Sequence, residues 1–129
     1  MSARERLFDT YAEWKRWTVE EGDAIRQSDW PRVHSCQRAK MELQPQILRF
    51  TDDARTETVG TGVRWEEVEK DLRREVACLI ELETHNGHVL DTVRRLARAE
   101  EAELERTRRN LRQIRSYAPV TQTAWSSYS

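Results

Sequence analysis

The sequence predicts an all-α protein: an elongated antiparallel three-helix bundle with one very long C-terminal helix. Three observations carry that prediction. An apolar seam runs from Trp65 to Tyr117 through Val68, Leu72, Val76, Leu79, Leu82, Val89, Val93, Leu96, Leu104, Leu111 and Ile114. Most of its steps are three or four residues, the period of a helix with one apolar face. Two shorter amphipathic stretches precede it, set apart by capping residues and helix breakers. Finally, hydrophobic residues make up 37% of the 129-residue chain and charged residues 35%. That balance suits a thin bundle, in which each helix buries only a narrow stripe. The apolar residues are periodic and the net charge is only −1, which argues against disorder of the whole chain.

The first helix is expected from about Ala3 to Gln27. Ser2 followed by Glu5 is a capping-box pattern, which satisfies the free N–H groups of a first turn. Leu7, Tyr11, Trp14 and Ile25 form one stripe, widened by Phe8 and Trp17. Thr18 and Glu21 interrupt the stripe, and Gly22 loosens the last turns.

Ser28-Asp29-Trp30-Pro31 then breaks the chain. Ser28 or Asp29 caps the second helix, and proline is tolerated in a first turn. Val33, Cys36, Lys40, Leu43, Ile47 and Phe50 recur at steps of three and four. Pro45 removes one backbone hydrogen bond, so a kink is expected near residues 41–44. Thr51 to Gly62 is polar, holds two glycines and has no period, and reads as the main loop.

The third helix is expected to start near Val63, with Glu66, Glu67 and Glu69 near its positive end. It is expected to finish near Tyr117, before Pro119. At 1.5 Å rise per residue it would be about 80 Å long. Asn86-Gly87 is a turn signal in isolation, and a turn there would give four helices. The seam keeps its phase across the site, which favours a continuous helix. A polar residue in a seam fixes register, and a mid-helix glycine costs about 1 kcal/mol. The domain reading is a helical bundle over 1–117 and a flexible tail over 118–129.

Three stretches together resemble the FlgN-type flagellar export chaperones. The first runs from Glu20 to Trp30 and on through Val33 to Gln37-Arg38-Ala39-Lys40: an acidic helix end, a short link and a helix bearing an R-x-K segment before Leu43. The second is Leu79 to Asn86 followed by Leu90, similar to an L-x-x-L-x-x-x-N-x-x-L-L run in the family's long final helix. The third is Leu111 to Tyr117 with a polar, aromatic-bearing tail behind it. Gly87, Pro45 and the Tyr117-Ala118-Pro119 exit depart from the family pattern.

The resemblance implies a cytoplasmic chaperone that holds the C-terminal helices of hook–filament junction proteins before type III export. The export apparatus is a further partner it suggests, and a second copy of the chain is a partner the seam itself allows. An amphipathic client segment would lay its apolar face on the long helix. The client-binding residues expected are Leu82, Val89, Leu90, Val93 and Leu96. The plainer alternative is that they only pack against the two shorter helices. A self-associating coiled-coil scaffold without a client uses the same seam, and a nucleic-acid-binding helical protein is a third reading.

Other signals point away from chemistry. No catalytic residue, metal ligand set or cofactor motif is expected. Cys78, Glu81, His85 and His88 share a helix face, but no zinc-ligand spacing is present. Cys36 and Cys78 both read as buried free thiols in a reducing compartment. The arginines between Arg94 and Arg115 interleave with Asp91, Glu100, Glu101, Glu103 and Glu105, which makes a solvated, ion-paired face more natural than a phosphate track. There is no glycine-rich phosphate loop, and thin helices rarely enclose a substrate cavity. No stretch approaches the length of a membrane span, and residues 1–6 lack the apolar core of a signal peptide. Trp14, Trp17, Trp30 and Trp65 are expected to fill the bundle ends. Trp125 and Tyr128 sit in the tail as candidate anchors that fold back into a groove.

Overall fold

The computed structural model describes residues 1–117, and the tail with Trp125 and Tyr128 lies outside the described residues. Among them the chain is all-helical: α1 (Ala3–Arg26), α2 (Trp30–Thr58) and α3 (Trp65–Tyr117). By its internal contacts it divides into two units, Met1–Val93 and Arg94–Ser129. The first holds α1, α2 and the first part of α3. The described part of the second is the remainder of α3.

Local chemistry sets the helix ends. Ser2 Oγ accepts from the Glu5 N–H at 3.1 Å, and the Ala3 N–H donates to the Glu57 carboxylate of α2 at 2.9 Å. At the other end of α1, Ser28 takes a left-handed φ of 55°, and the Asp29 N–H reaches back to the Ala24 carbonyl at 2.9 Å. That is the backbone closure of a Schellman-type stop. Asp29 caps α2 through the Arg32 N–H, with Pro31 in its first turn.

α2 runs on to Thr58, with Pro45 inside it, instead of ending at Phe50. The polar residues 51–58 are therefore helix, not loop. Ala54 is the reason: it is 1% exposed and packs in a cluster with Ala3, Leu7, Val68 and Leu72. The Thr51 and Thr56 hydroxyls donate to carbonyls four residues back. The true loop is residues 59–64, where Gly60 and Gly62 both adopt positive φ. Glycine reaches that region without a Cβ penalty.

α3 passes through Asn86-Gly87 without a break. Within the first unit the contacts run in a regular order. Rising along α1, Ala3, Thr18 and Glu20 meet Glu57, Lys40 and Arg32 of α2 in turn. Arg4, Trp14 and Arg26 of α1 meet Asp71, Glu83 and His85 of α3. Two apolar clusters result. One surrounds Leu7, Ala54 and Val68, with Phe8, Phe50 and Trp65 packed on it. The other joins Ala24, Ile25 and Val33 to Val89, Leu90 and Val93.

Three placements differ from expectation. Trp14, midway along α1, meets Glu83 and Lys40 and does not fill a bundle end. Cys36 is buried, but Cys78 is exposed, one step off the packed face of α3. Trp30 opens α2 with 38% of its surface exposed, so it does not fill a bundle end.

Candidate functional site

Between the two apolar clusters lies a polar one. Thr18 and Glu21 of α1, Lys40 of α2 and Asn86 of α3 are all buried. Lys40 Nζ donates to Glu83 Oε1 at 2.6 Å and to Glu21 Oε1 at 3.3 Å. Glu83 Oε1 also accepts from Trp14 Nε1 at 3.1 Å and meets the Thr18 hydroxyl at 3.1 Å. Asn86 Nδ2 donates to the Thr18 carbonyl at 2.7 Å and to Glu21 Oε1 at 3.3 Å. Among the described residues no buried side-chain polar atom lacks a partner, as a buried network requires.

Burial opposes the charge on Glu83. The Lys40 ammonium, with the Trp14 and Thr18 donors, outweighs it and holds the carboxyl below the usual glutamate range. Lys40 also lies 5.8 Å from the Trp14 ring centroid, within cation–π range. This arrangement ties three helices together.

Beside the network is an open apolar groove of about 450 Å³. It is lined by Tyr11 and Trp14 of α1, by Gln44, Ile47 and Leu48 of α2, and by Val76, Leu79, Ile80 and Glu83 of α3. Leu48 and Ile80 stand 70% and 60% exposed at its lips. In the sequence Ile47, Val76 and Leu79 lie on the apolar stripes, whereas nothing there marks Leu48 and Ile80 as functional. Both fall one residue off their stripes, and that offset is the only signal the sequence carries.

The five expected client-binding residues are divided by the structure. Val89, Leu90 and Val93 pack on Ala24, Ile25 and Val33. Leu82 is half-buried, and Leu96 is exposed. Within the second unit the apolar residues Leu104, Leu111 and Ile114 are likewise exposed. The arginines there pair along the helix, Arg106 with Glu103 and Arg112 with Glu105.

Among the described residues no three metal-ligating side chains gather. His85 Nε2 instead meets the Arg26 guanidinium at 3.2 Å. No helix is long and apolar enough to cross a membrane among the described residues. Compared with protein-family models, with curated proteins and with solved structures, the chain matches none.

Proposed function

We propose that this chain is a helix-binding protein of the export-chaperone kind, holding an amphipathic segment of a client in the groove between α2 and α3. The observation that carries this reading is the groove itself. Its walls are apolar, it is open to solvent, and large aliphatic side chains stand exposed at both lips. Helix-in-groove recognition needs such a slot and residues at i, i+3 and i+4 on the client to enter it. The volume falls within the range of ligand-binding clefts, roughly 300–1,000 Å³. An antiparallel packing of α1, α2 and the first part of α3 is consistent with the order of their contacts, and it keeps α2 and α3 side by side along the slot.

The sequence resemblance to FlgN-type chaperones supplies the client class: C-terminal segments of hook–filament junction proteins awaiting type III export in the cytoplasm. The competing docking place is the Leu82, Val89, Leu90, Val93 and Leu96 patch, of which Leu96 is the most accessible. Substitution separates the two. The full chain is used to recover flagellar proteins from cells that make it, and binding of the recovered segment is followed by tryptophan fluorescence. Ile80→Glu and Leu48→Glu are each expected to weaken binding by about tenfold or more, as for anchor residues at an interface. Leu96→Glu is expected to change it little. Recovery of no exported flagellar protein overturns the chaperone reading. Loss of binding in Leu96→Glu alone moves the site to the patch.

A further inference from the structure

Within α3 one line of residues follows strict steps of four and three. It reads Leu72, Val76, Leu79, Glu83, Asn86, Leu90, Val93, and then Ala97, Glu100, Leu104, Thr107, Leu111 and Ile114. This is the a/d pattern of a coiled coil, with Leu72 at d and Val76 at a. Every member up to Val93 is buried or half-buried in the first unit. Every member from Ala97 to Ile114, in the second, is exposed. The pattern that α1 and α2 satisfy in the first unit therefore continues in the second without a partner among the described residues. Leu104 is 57%, Leu111 43% and Ile114 47% exposed.

We propose that residues 97–114 of α3 pair antiparallel with the same residues of a second copy of this chain. Charge and size select that occupant and that direction. In a parallel pair each layer meets itself, which sets Glu100 against Glu100 in a core position. Like charges there are unfavourable. In an antiparallel pair each a position faces a d position. A register centred between Glu105 and Arg106 then places Leu104 opposite Thr107, Leu111 opposite Glu100 and Ile114 opposite Ala97. Each large side chain meets a smaller or longer flexible one, and the two Glu100 carboxylates are kept apart.

The flanking residues agree with this register. Antiparallel helices set e positions against e positions, so Glu101 of one copy meets Arg108 of the other, twice by symmetry. Arg108 holds its own Glu105 only at 4.0 Å and its side chain is 71% exposed, so it is free to take that second carboxylate. Arg94 and Arg115 face one another at the outer ends of this register, where solvent screens like charges. The paired stretch is about 27 Å long at 1.5 Å per residue. It ends short of Val93, where the same line is already taken by the chain's own helices. The paired residues share none with the lining of the groove between α2 and α3, so substitutions can test client binding and self-association separately.

The test uses the full chain in analytical ultracentrifugation. A concentration-dependent dimer is expected, and a monomer at all concentrations up to about 1 mM overturns the proposal. Leu104→Glu is expected to weaken dimerisation by at least about 100-fold, with unchanged helical content by circular dichroism. Glu101→Arg is expected to weaken it about tenfold, and Glu101→Arg combined with Arg108→Glu to restore it within about threefold. An unaffected Glu101→Arg dimer overturns the antiparallel register. Direction is read independently by oxidative cross-linking in a Cys78→Ser background, mixing chains carrying Ala97→Cys with chains carrying Ile114→Cys. Disulfides between the two kinds of chain support the proposal, and disulfides only between like chains overturn it.

Discussion

Two glycines in helices have opposite roles. A Cβ at Gly22 would fall 2.6 Å from Asn86 Oδ1, the side chain that donates to the Thr18 carbonyl and to Glu21. Gly22 thus permits the close approach of α1 to α3 that the buried network needs. At Gly87 nothing lies within 4 Å of the added atom. Alanine is a better helix former than glycine by about 1 kcal/mol. Gly87→Ala is therefore expected to stabilise the protein by about 0.5–1 kcal/mol, measured as a higher urea midpoint. Gly22→Ala is expected to destabilise it by about 1–3 kcal/mol despite the same gain in propensity, because the amide is crowded out of a packed site. Equal shifts of the same sign in both variants would contradict this account. The sequence reading registered Gly22 only as a loosening of the helix. Its purpose lies in a residue distant along the chain, which no local pattern encodes.

At the scale of elements, α1 and α3 were legible because both write their signals locally. Ser2 and Glu5 mark a start, and a long three-and-four spacing marks the face. The end of α2 was not legible. Residues 51–58 are polar and contain only Ala54 to bury, so the segment lacks the periodic contrast that betrays a helix. What holds it helical is tertiary: the methyl of Ala54 against Leu7, Val68 and Leu72, and Arg55 stacked at 5.0 Å over the Trp65 ring. Ala54→Glu places a carboxylate where 1% of the residue is exposed, in a cluster with Ala3, Leu7, Val68 and Leu72. It is expected to cost about 2–4 kcal/mol. Asp53→Ala on the exposed side is expected to stay within about 0.5 kcal/mol. Thermal unfolding followed by circular dichroism separates the two. A neutral Ala54→Glu would mean that this segment does not pack as a helix. The groove was less legible still, because Leu48 and Ile80 declare themselves only once three helices are in place. Thr18 and Glu21 looked like flaws in an apolar stripe. Their partners Lys40, Glu83 and Asn86 lie on other helices.

For the whole molecule, the charge state of that network links folding to pH. The Glu83 carboxyl is held below its ordinary range by Lys40, Trp14 and Thr18 against the cost of burial. A group depressed in the folded state gives stability that is complete above its unfolded pKa and is lost as pH falls through its folded one. The wild type is therefore expected to lose stability as pH drops below about 4. Glu83→Gln is expected to start lower at pH 7 and to lose less over the same interval, read as urea midpoints at pH 7, 5 and 3. Parallel curves for the two proteins would show that Glu83 does not carry this dependence. Lys40→Ala removes the shared cation from two carboxylates at once and is expected to cost about 3–5 kcal/mol at pH 7.

Helices built on repeating leucine and valine spacings have an ambiguity in common. Sliding one past its neighbour by a single turn, about 5.4 Å, replaces one aliphatic contact with another of nearly equal worth. The cluster around Lys40 removes that degeneracy. A one-turn slip of α2 would carry its ammonium away from Glu21 and Glu83, stranding buried charge of both signs, and a slip of α3 against α1 would take the Asn86 amide away from Thr18 and Glu21. Misaligned states that the apolar residues alone would tolerate thus become the most expensive conformations open to a compact chain. The cluster therefore does more than hold the helices together. It decides which of several near-equivalent alignments the folding chain accepts, and so where the two walls of the groove come to face each other.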